Sequence, residues 1–372
     1  MDINLKLKKN LQIRAFYLFF IISSIQIGVG IMGTSRIVYL EALQDAWISI
    51  LIASIYLFIV IIVMLSILKQ YDNADIFGIQ VDIFGNWFGK LLGSIYIIHF
   101  AITFFSVLIT YLEIVRIYIF PTLNNVTLGS LVLMLVLYGL LGGIRVIVGV
   151  CTLFFIFTHW ILLLLIQPAL QIDVTHFQPM FVASLTDLLS GAKATSYTFI
   201  GFEILFLIYP FILNKKKARG PILLAAGWTS FLTLALTILV FGYFSLEQIE
   251  RREWTLLGLF KIQNLTFIER FDYIVVATWM MIIIPNLLLL MWGITHGMKR
   301  LYRVPQKVTL YISSIVFLIA CFFFDEHHRV TMVTDFAAKY GFWLVYVYPF
   351  VLLPLVLIKR RMKKKKGVKY AK

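Results

Sequence analysis

Ten stretches of this chain are each long and apolar enough to cross a membrane, and that pattern leaves few folds open to it. A crossing helix needs about 20 mainly apolar residues. Runs of that kind lie near 12–38, 46–68, 91–120, 126–144, 146–170, 194–213, 221–245, 272–298, 308–324 and 337–358. The segments between them are too short for a separate soluble domain. Residues 1–358 are therefore expected to form one transmembrane domain, with 359–372 as a basic tail. The composition agrees: 61% of the residues are hydrophobic and 14% charged, against about 25% charged in soluble domains.

The net charge of +15 raises the question of nucleic acid, and its distribution answers it. Basic residues cluster at Lys6–Arg14, at Lys69 and Lys90, at Arg145, at Lys215–Arg219, at Lys299–Lys307 and from Lys359 to Lys372. With ten spans all of these fall on one side, 24 of the 33 lysines and arginines. The positive-inside rule makes that side the cytoplasm and puts both termini there. The tail then meets anionic membrane lipid, and no nucleic-acid partner is expected. Span 1 is too long for a cleavable signal and lacks a small-residue cleavage site. Cys151 and Cys321 both fall in spans, so neither a disulfide nor a metal site is inferred.

Gly28-Val-Gly-Ile-Met-Gly33 interrupts the first run. As text it matches a dinucleotide-binding fingerprint, but that motif needs a short strand before it, and here a membrane-grade run precedes it. Three glycines in six positions each weaken a helix by roughly 1 kcal/mol relative to alanine. Inside a bilayer such a break survives only where the freed backbone groups are buried or line a cavity. The reading is a discontinuous span whose exposed amides and carbonyls can hold a small ligand or ion.

Ten spans divide five plus five, and five is odd, so the halves (about 12–170 and 194–358) run in opposite senses. An inverted repeat requires a counterpart to the break in span 6. Tyr197-Thr-Phe-Ile-Gly-Phe-Glu203 supplies a glycine and a carboxylate there. Glu113 and Glu203 are the acidic residues well inside spans, and an ionisable group at that depth is a candidate site by default. Glu203 has two readings, ligand or proton recognition and a structural carboxylate capping its own broken helix. Glu113 has two as well: an internal ion pair with Arg116, three residues on, and an outer gate or ligand contact. Asn286 beside Pro285 lines the cavity or packs a helix kink. His99, His159 and His296 read as satisfied core residues. Residues 70–90 suggest a short interfacial helix, and 246–270 an amphipathic cap over the outer vestibule. No Ser-His-Asp arrangement, metal-ligand spacing or P-loop occurs, so no enzyme activity and no cofactor are expected.

These residues resemble a known group. The Gly28–Gly33 break and the Tyr197–Glu203 motif are similar to those of the amino acid–polyamine–organocation superfamily. The ten-span length, the basic tail, Gly30-Ile-Met-Gly-Thr-Ser-Arg36, Glu113-Ile-Val-Arg-Ile-Tyr-Ile-Phe-Pro121 and Gly201-Phe-Glu-Ile-Leu running to Pro210-Phe narrow the resemblance to the GerB-type B subunits of spore germinant receptors. The resemblance implies an all-α, five-plus-five inverted repeat of the leucine-transporter kind with helices 1 and 6 broken. It also implies a nutrient-binding role, typically for an amino acid, in the spore inner membrane. Partners would be a germinant receptor A subunit and a lipoprotein C subunit. Carried over, the ligand site comprises Gly28, Val29, Gly30 and Ile31 facing Thr198, Phe199, Gly201, Phe202 and Glu203, with Glu113 and Asn286 beside them. Amides at a half-helix N-terminus favour a carboxylate, and freed carbonyls opposite can accept an ammonium. The competing function is a secondary amino acid transporter, proton-coupled if His159 titrates; a channel or structural partner is third.

Overall fold

The computed structural model describes residues 2–261 and 271–370, which are helical throughout apart from turns and two isolated β-bridges. Helix α1 (Leu18–Gln26) and α2 (Gly30–Ala42) are separated by a short non-helical stretch, and α3 (Ala46–Leu68) and α4 (Ile76–Tyr118) follow. After α5 (Asn125–Leu141), α6 (Ile144–Thr158) runs into the tighter turns of His159–Leu165 and a last turn, α7 (Ile166–Ala169). The second half holds α8 (Leu185–Phe199), α9 (Leu205–Ile208), α10 (Arg219–Tyr243), α11 (Leu246–Arg251), α12 (Thr255–Lys261) and α13 (Phe271–Tyr302). It closes with α14 (Gln306–Phe323), α15 (His327–Gly341) and α16 (Tyr348–Tyr370), the last two joined by the π-helical Phe342–Val347.

Seven helical segments among the described residues are long and apolar enough to cross a membrane, and eight if the bent pair Leu185–Phe199 and Phe202–Phe211 is one span. The chain is a multi-pass membrane protein. The segmentation departs from ten continuous runs for physical reasons. Residues 12–38 are two helices because the glycine-rich stretch interrupts them, with Gly28 in the gap and Gly30 and Gly33 in the first turns of α2, and α5 spans 17 residues, about 25 Å at 1.5 Å per residue.

Local chemistry sets where helices begin. Asp75 caps α4 by accepting from the Gly78 amide, and Asn124 caps α5 by accepting from Thr127. Ser184 and Asp187 form a reciprocal capping box on α8. In the core α13 packs along α4, while α8 lies against α2 and α3.

Contacts gather the loops into two groups. On one face, Leu5 donates its amide to Asn73 O, Ile13 pairs with Ile212, Lys215 meets Asp72 and Asn73, and Lys359 lies 3.9 Å from Asp82. On the opposite face Arg36 donates to Glu250 O, Asp45 accepts three amides from Phe181–Ala183, and Arg116 pairs with Asp325.

One expectation about the loops changes. The segment at 70–90 is not held at a surface throughout, because its first turns pack into the protein. Its helix starts at Ile76, bends at Gly85 (φ +82°) and buries Ile76, Phe77 and Ile79 completely inside the protein. Asp75 pairs there with Arg300 at 2.7 Å and with His296 at 3.2 Å. Burial alone would raise the Asp75 carboxyl, but the hydrogen bond from His296 and the Arg300 guanidinium hold it below the ordinary value of 3.8. The expected cap at 246–270 is present as α11 and α12, with Leu256, Leu257, Leu259 and Phe260 buried; its part at 262–270 lies outside the described residues.

Candidate functional site

Two interruptions in the helices lie side by side. After α1 the backbone turns extended at Ile27 (φ −81°, ψ 98°), and helix resumes at Gly30. After α8 it turns extended at Ile200, and Gly201 takes φ +121°, a value that L side chains rarely adopt. The segments on either side of the second break meet at 53°. A Cβ on Gly201 would fall 2.8 Å from the carbonyl oxygen of Ile25, so glycine is what lets the two breaks touch.

Side chains satisfy many of the freed backbone groups. Asn286 Nδ2 donates to Ile25 O at 2.7 Å, and Gln26 Nε2 donates to Phe199 O at 3.0 Å. Thr229 in turn donates to Gln26 Oε1 at 2.9 Å. Glu203 Oε2 accepts from the Gly201 amide at 2.7 Å. These bonds knit the first break to the second and both to α10 and α13. The first three are long-range in sequence, so they also fix how the two halves sit together.

A cavity remains between the breaks, lined by Gly28, Val29, Gly30, Thr198, Gly201 and Asn286, together with Ile25, Gln26, Thr103, Val107, Tyr197, Ile200 and Leu290. About 30 Å³ is open to the centre of a water-sized sphere, enough for roughly two waters. The groups left unpaired on its walls are specific. The amides of Gly28 and Val29, just ahead of α2, have no acceptor among the described residues. Asn286 Oδ1 is buried without a partner. Thr34 gives its only hydroxyl proton to Gly30 O at 2.7 Å, so the 2.6 Å contact between Thr34 and Thr198 must be a donation from Thr198. Thr198 Oγ1 then keeps acceptor capacity. The walls offer donors at the positive end of a helix and acceptors beside them, a set that can take a carboxylate and an ammonium.

The other expected residues lie elsewhere. Ile31 lines a neighbouring apolar pocket with Pro285 and His159, whose Nδ1 bonds to Phe155 O. Phe199 and Phe202 are buried in the core. Glu203 is fully enclosed, with Oε2 on the Gly201 amide of the break and Oε1 on His99 Nε2 of α4 at 2.8 Å, so both oxygens are taken within the protein. Of the two readings of Glu113, the ion pair with Arg116 is not formed. Its Oε1 lies 2.8 Å from His327 Nδ1, while Arg116 reaches Asp325 and Asn125. His327 Nε2 also approaches Glu253 at 3.3 Å, and Glu253 O and Trp254 sit over Gly33. This cluster therefore lies against α2 one turn beyond Gly30. No group of three or more His, Cys, Asp or Glu could hold a metal among the described residues.

Reading the sequence alone misses Gln26, Thr34, Thr103, Tyr197 and Thr229. Each is an uncharged polar residue inside an apolar run, a weaker signal than a buried carboxylate. His99 is visible as a core histidine, but its partner is 104 positions away.

A family model described as "Spore germination protein" matches residues 12–330. The chain is 31% identical over 337 residues to the spore germination protein GerQB of Bacillus cereus, covering 91% of this chain and 93% of that protein. It is 23% identical to the spore germination protein YndE of Bacillus subtilis (strain 168), over 94% of this chain and 96% of that one. Spore germination protein A2 of the same organism matches at 21% over 95% and 97%. Among solved structures, a Na+-coupled sialic acid symporter in a substrate-bound outward-open state superposes with TM-score 0.58 and 11% identity, covering 94% of this chain and 76% of that one. That likeness is one of fold. These relatives are spore germination proteins, not enzymes.

Proposed function

This chain belongs to the spore germination protein family, and on that premise we propose that it is the nutrient-binding membrane subunit of a germinant receptor. The ligand is a small nutrient with the chemistry of an amino acid, held between the two breaks. It works with an A subunit and a lipoprotein C subunit in the spore inner membrane, both of its termini cytoplasmic. The two groups of loop contacts support ten crossings, since successive loops alternate between the faces. The facing breaks support a five-plus-five inverted repeat in which helices 1 and 6 are the broken pair.

One observation carries the reading: the cavity presents unpaired donors and acceptors, yet it is closed to the size of about two waters. A nutrient can enter only if the half-helices separate. Binding therefore favours a wider packing of the bundle over the closed one, and partner subunits can read that shift.

The test is a nutrient screen in cells carrying the complete receptor, with this subunit deleted as control and Gly30→Leu as the site variant. A Cβ at Gly30 already meets Thr198 Oγ1 at 3.3 Å, so a leucine fills the cavity. The expected outcome is loss of the nutrient response with the subunit still present and assembled. A normal response in Gly30→Leu would place the site elsewhere. Uptake of the labelled nutrient by this chain alone in vesicles would assign transport instead.

A further inference from the structure

Beneath the site, on the face that carries the basic loops, a crevice of about 660 Å³ opens between the N-terminal segment, the α5–α6 turn and the α13–α14 turn. Its walls bring together Lys6, Lys8, Lys299, Arg300, Arg303 and Lys307, against the single acid Asp2. Arg300 is committed to Asp75. The other five have no ion-pair partner among the described residues. Two helices of 15 and 18 residues also begin here. α6 starts after Gly143 and α14 after Pro305, and neither first turn receives a side-chain cap. Their free amides add two positive dipole ends to the same space. The remaining wall is apolar, including Leu11, Leu141 and Leu310.

We propose that this crevice is a built site for the phosphate headgroup of an anionic lipid. The cations and helix ends take the phosphate, and the leucines lie along the start of the acyl chains. The N-terminal segment is already tied to this wall, because Arg300 Nη2 donates to Asp2 O at 3.0 Å. A bound headgroup bridges that segment to the α13–α14 turn. Since the segment leads directly into α1, the lipid holds the lower half of the first broken helix in its closed position.

The experiment uses the purified full chain in detergent, native mass spectrometry and two probes: phosphatidylglycerol, with phosphatidylcholine as reference, and soluble glycerol 1-phosphate. One variant changes Lys299, Arg303 and Lys307 to Gln. A matched control changes Lys216, Lys217 and Arg219, exposed residues on the same face, to Gln. Thermal unfolding in phosphatidylcholine alone verifies that both fold. The expected result is one tightly retained phosphatidylglycerol, bound about tenfold or more weakly by the crevice variant and within about twofold of wild type by the control. Equal losses in the two variants, or equal retention of phosphatidylcholine, would overturn the site. Glycerol 1-phosphate binding as tightly as the lipid would overturn the assignment to a membrane source.

Discussion

Gly201→Ala isolates the contact that brings the two breaks together. Gly201 has φ +121°, and an added Cβ would sit 2.8 Å from both Ile25 O and Ile25 Cγ1. Holding a non-glycine residue in such a region costs about 1–3 kcal/mol, and overpacking a tight core costs about 1–3 kcal/mol more. The Ile25 oxygen cannot retreat freely, because Asn286 Nδ2 is bonded to it at 2.7 Å. The substitution should therefore destabilise the protein by about 2–6 kcal/mol, the range being the sum of the two terms. Gly149→Ala is the control: it lies within α6, and nothing stands within 4 Å of its added Cβ. That change should be neutral or stabilising by up to about 1 kcal/mol. Thermal unfolding of both variants in detergent measures the difference. Gly201→Ala unfolding together with wild type would refute the close approach of the breaks.

Glu203 and Asp75 yield further outcomes. Glu203→Ala strands the Gly201 amide and His99 and should lose about 2–4 kcal/mol in an unfolding measurement. Glu203→Gln keeps an acceptor for the amide, so it should unfold nearer wild type and leave the nutrient dose response unchanged; a shifted dose response would put the carboxylate in ligand recognition. Asp75→Asn leaves Arg300 without its buried partner and should cost about 3 kcal/mol near neutral pH. The sign of the acid dependence follows from a carboxyl held below its ordinary value of 3.8. Its stabilisation is complete above that value and disappears as pH falls through the lower folded one. The gap between wild-type and Asp75→Asn unfolding should narrow as pH falls below about 4. A gap that does not change with acid would remove Asp75 from the ion cluster.

The breaks are legible in the sequence because glycine at bilayer depth is costly and needs a reason. The basic clusters are legible because charge sorts by side. Partners are not. Glu113 has Arg116 three residues away on its own helix, the pairing that local geometry favours, yet His327 takes it from 214 positions along the chain. Glu203 is as conspicuous as any ligand-binding carboxylate, and only tertiary structure reveals that His99 and Gly201 use both of its oxygens. Ile76 and Ile79 read as surface residues of a membrane-lying helix because apolar side chains look alike whether they meet lipid or protein. The polar lining of the cavity, Gln26, Thr103 and Tyr197, is hidden for a related reason. An uncharged polar residue inside a span is common enough to carry little information until its neighbours are known.

The central claim is that the nutrient occupies the cavity between the breaks, and Thr198→Val tests it most directly. The change keeps the side chain's shape and removes the oxygen left free to accept from the ligand. A hydrogen bond to a charged group contributes about 1.5–3 kcal/mol, which corresponds to roughly a 10- to 150-fold change in affinity. In spores carrying the complete receptor, the half-maximal nutrient concentration should rise by roughly that factor while the amount of subunit stays the same. An unchanged dose response, with the variant subunit present at wild-type level, would contradict the site.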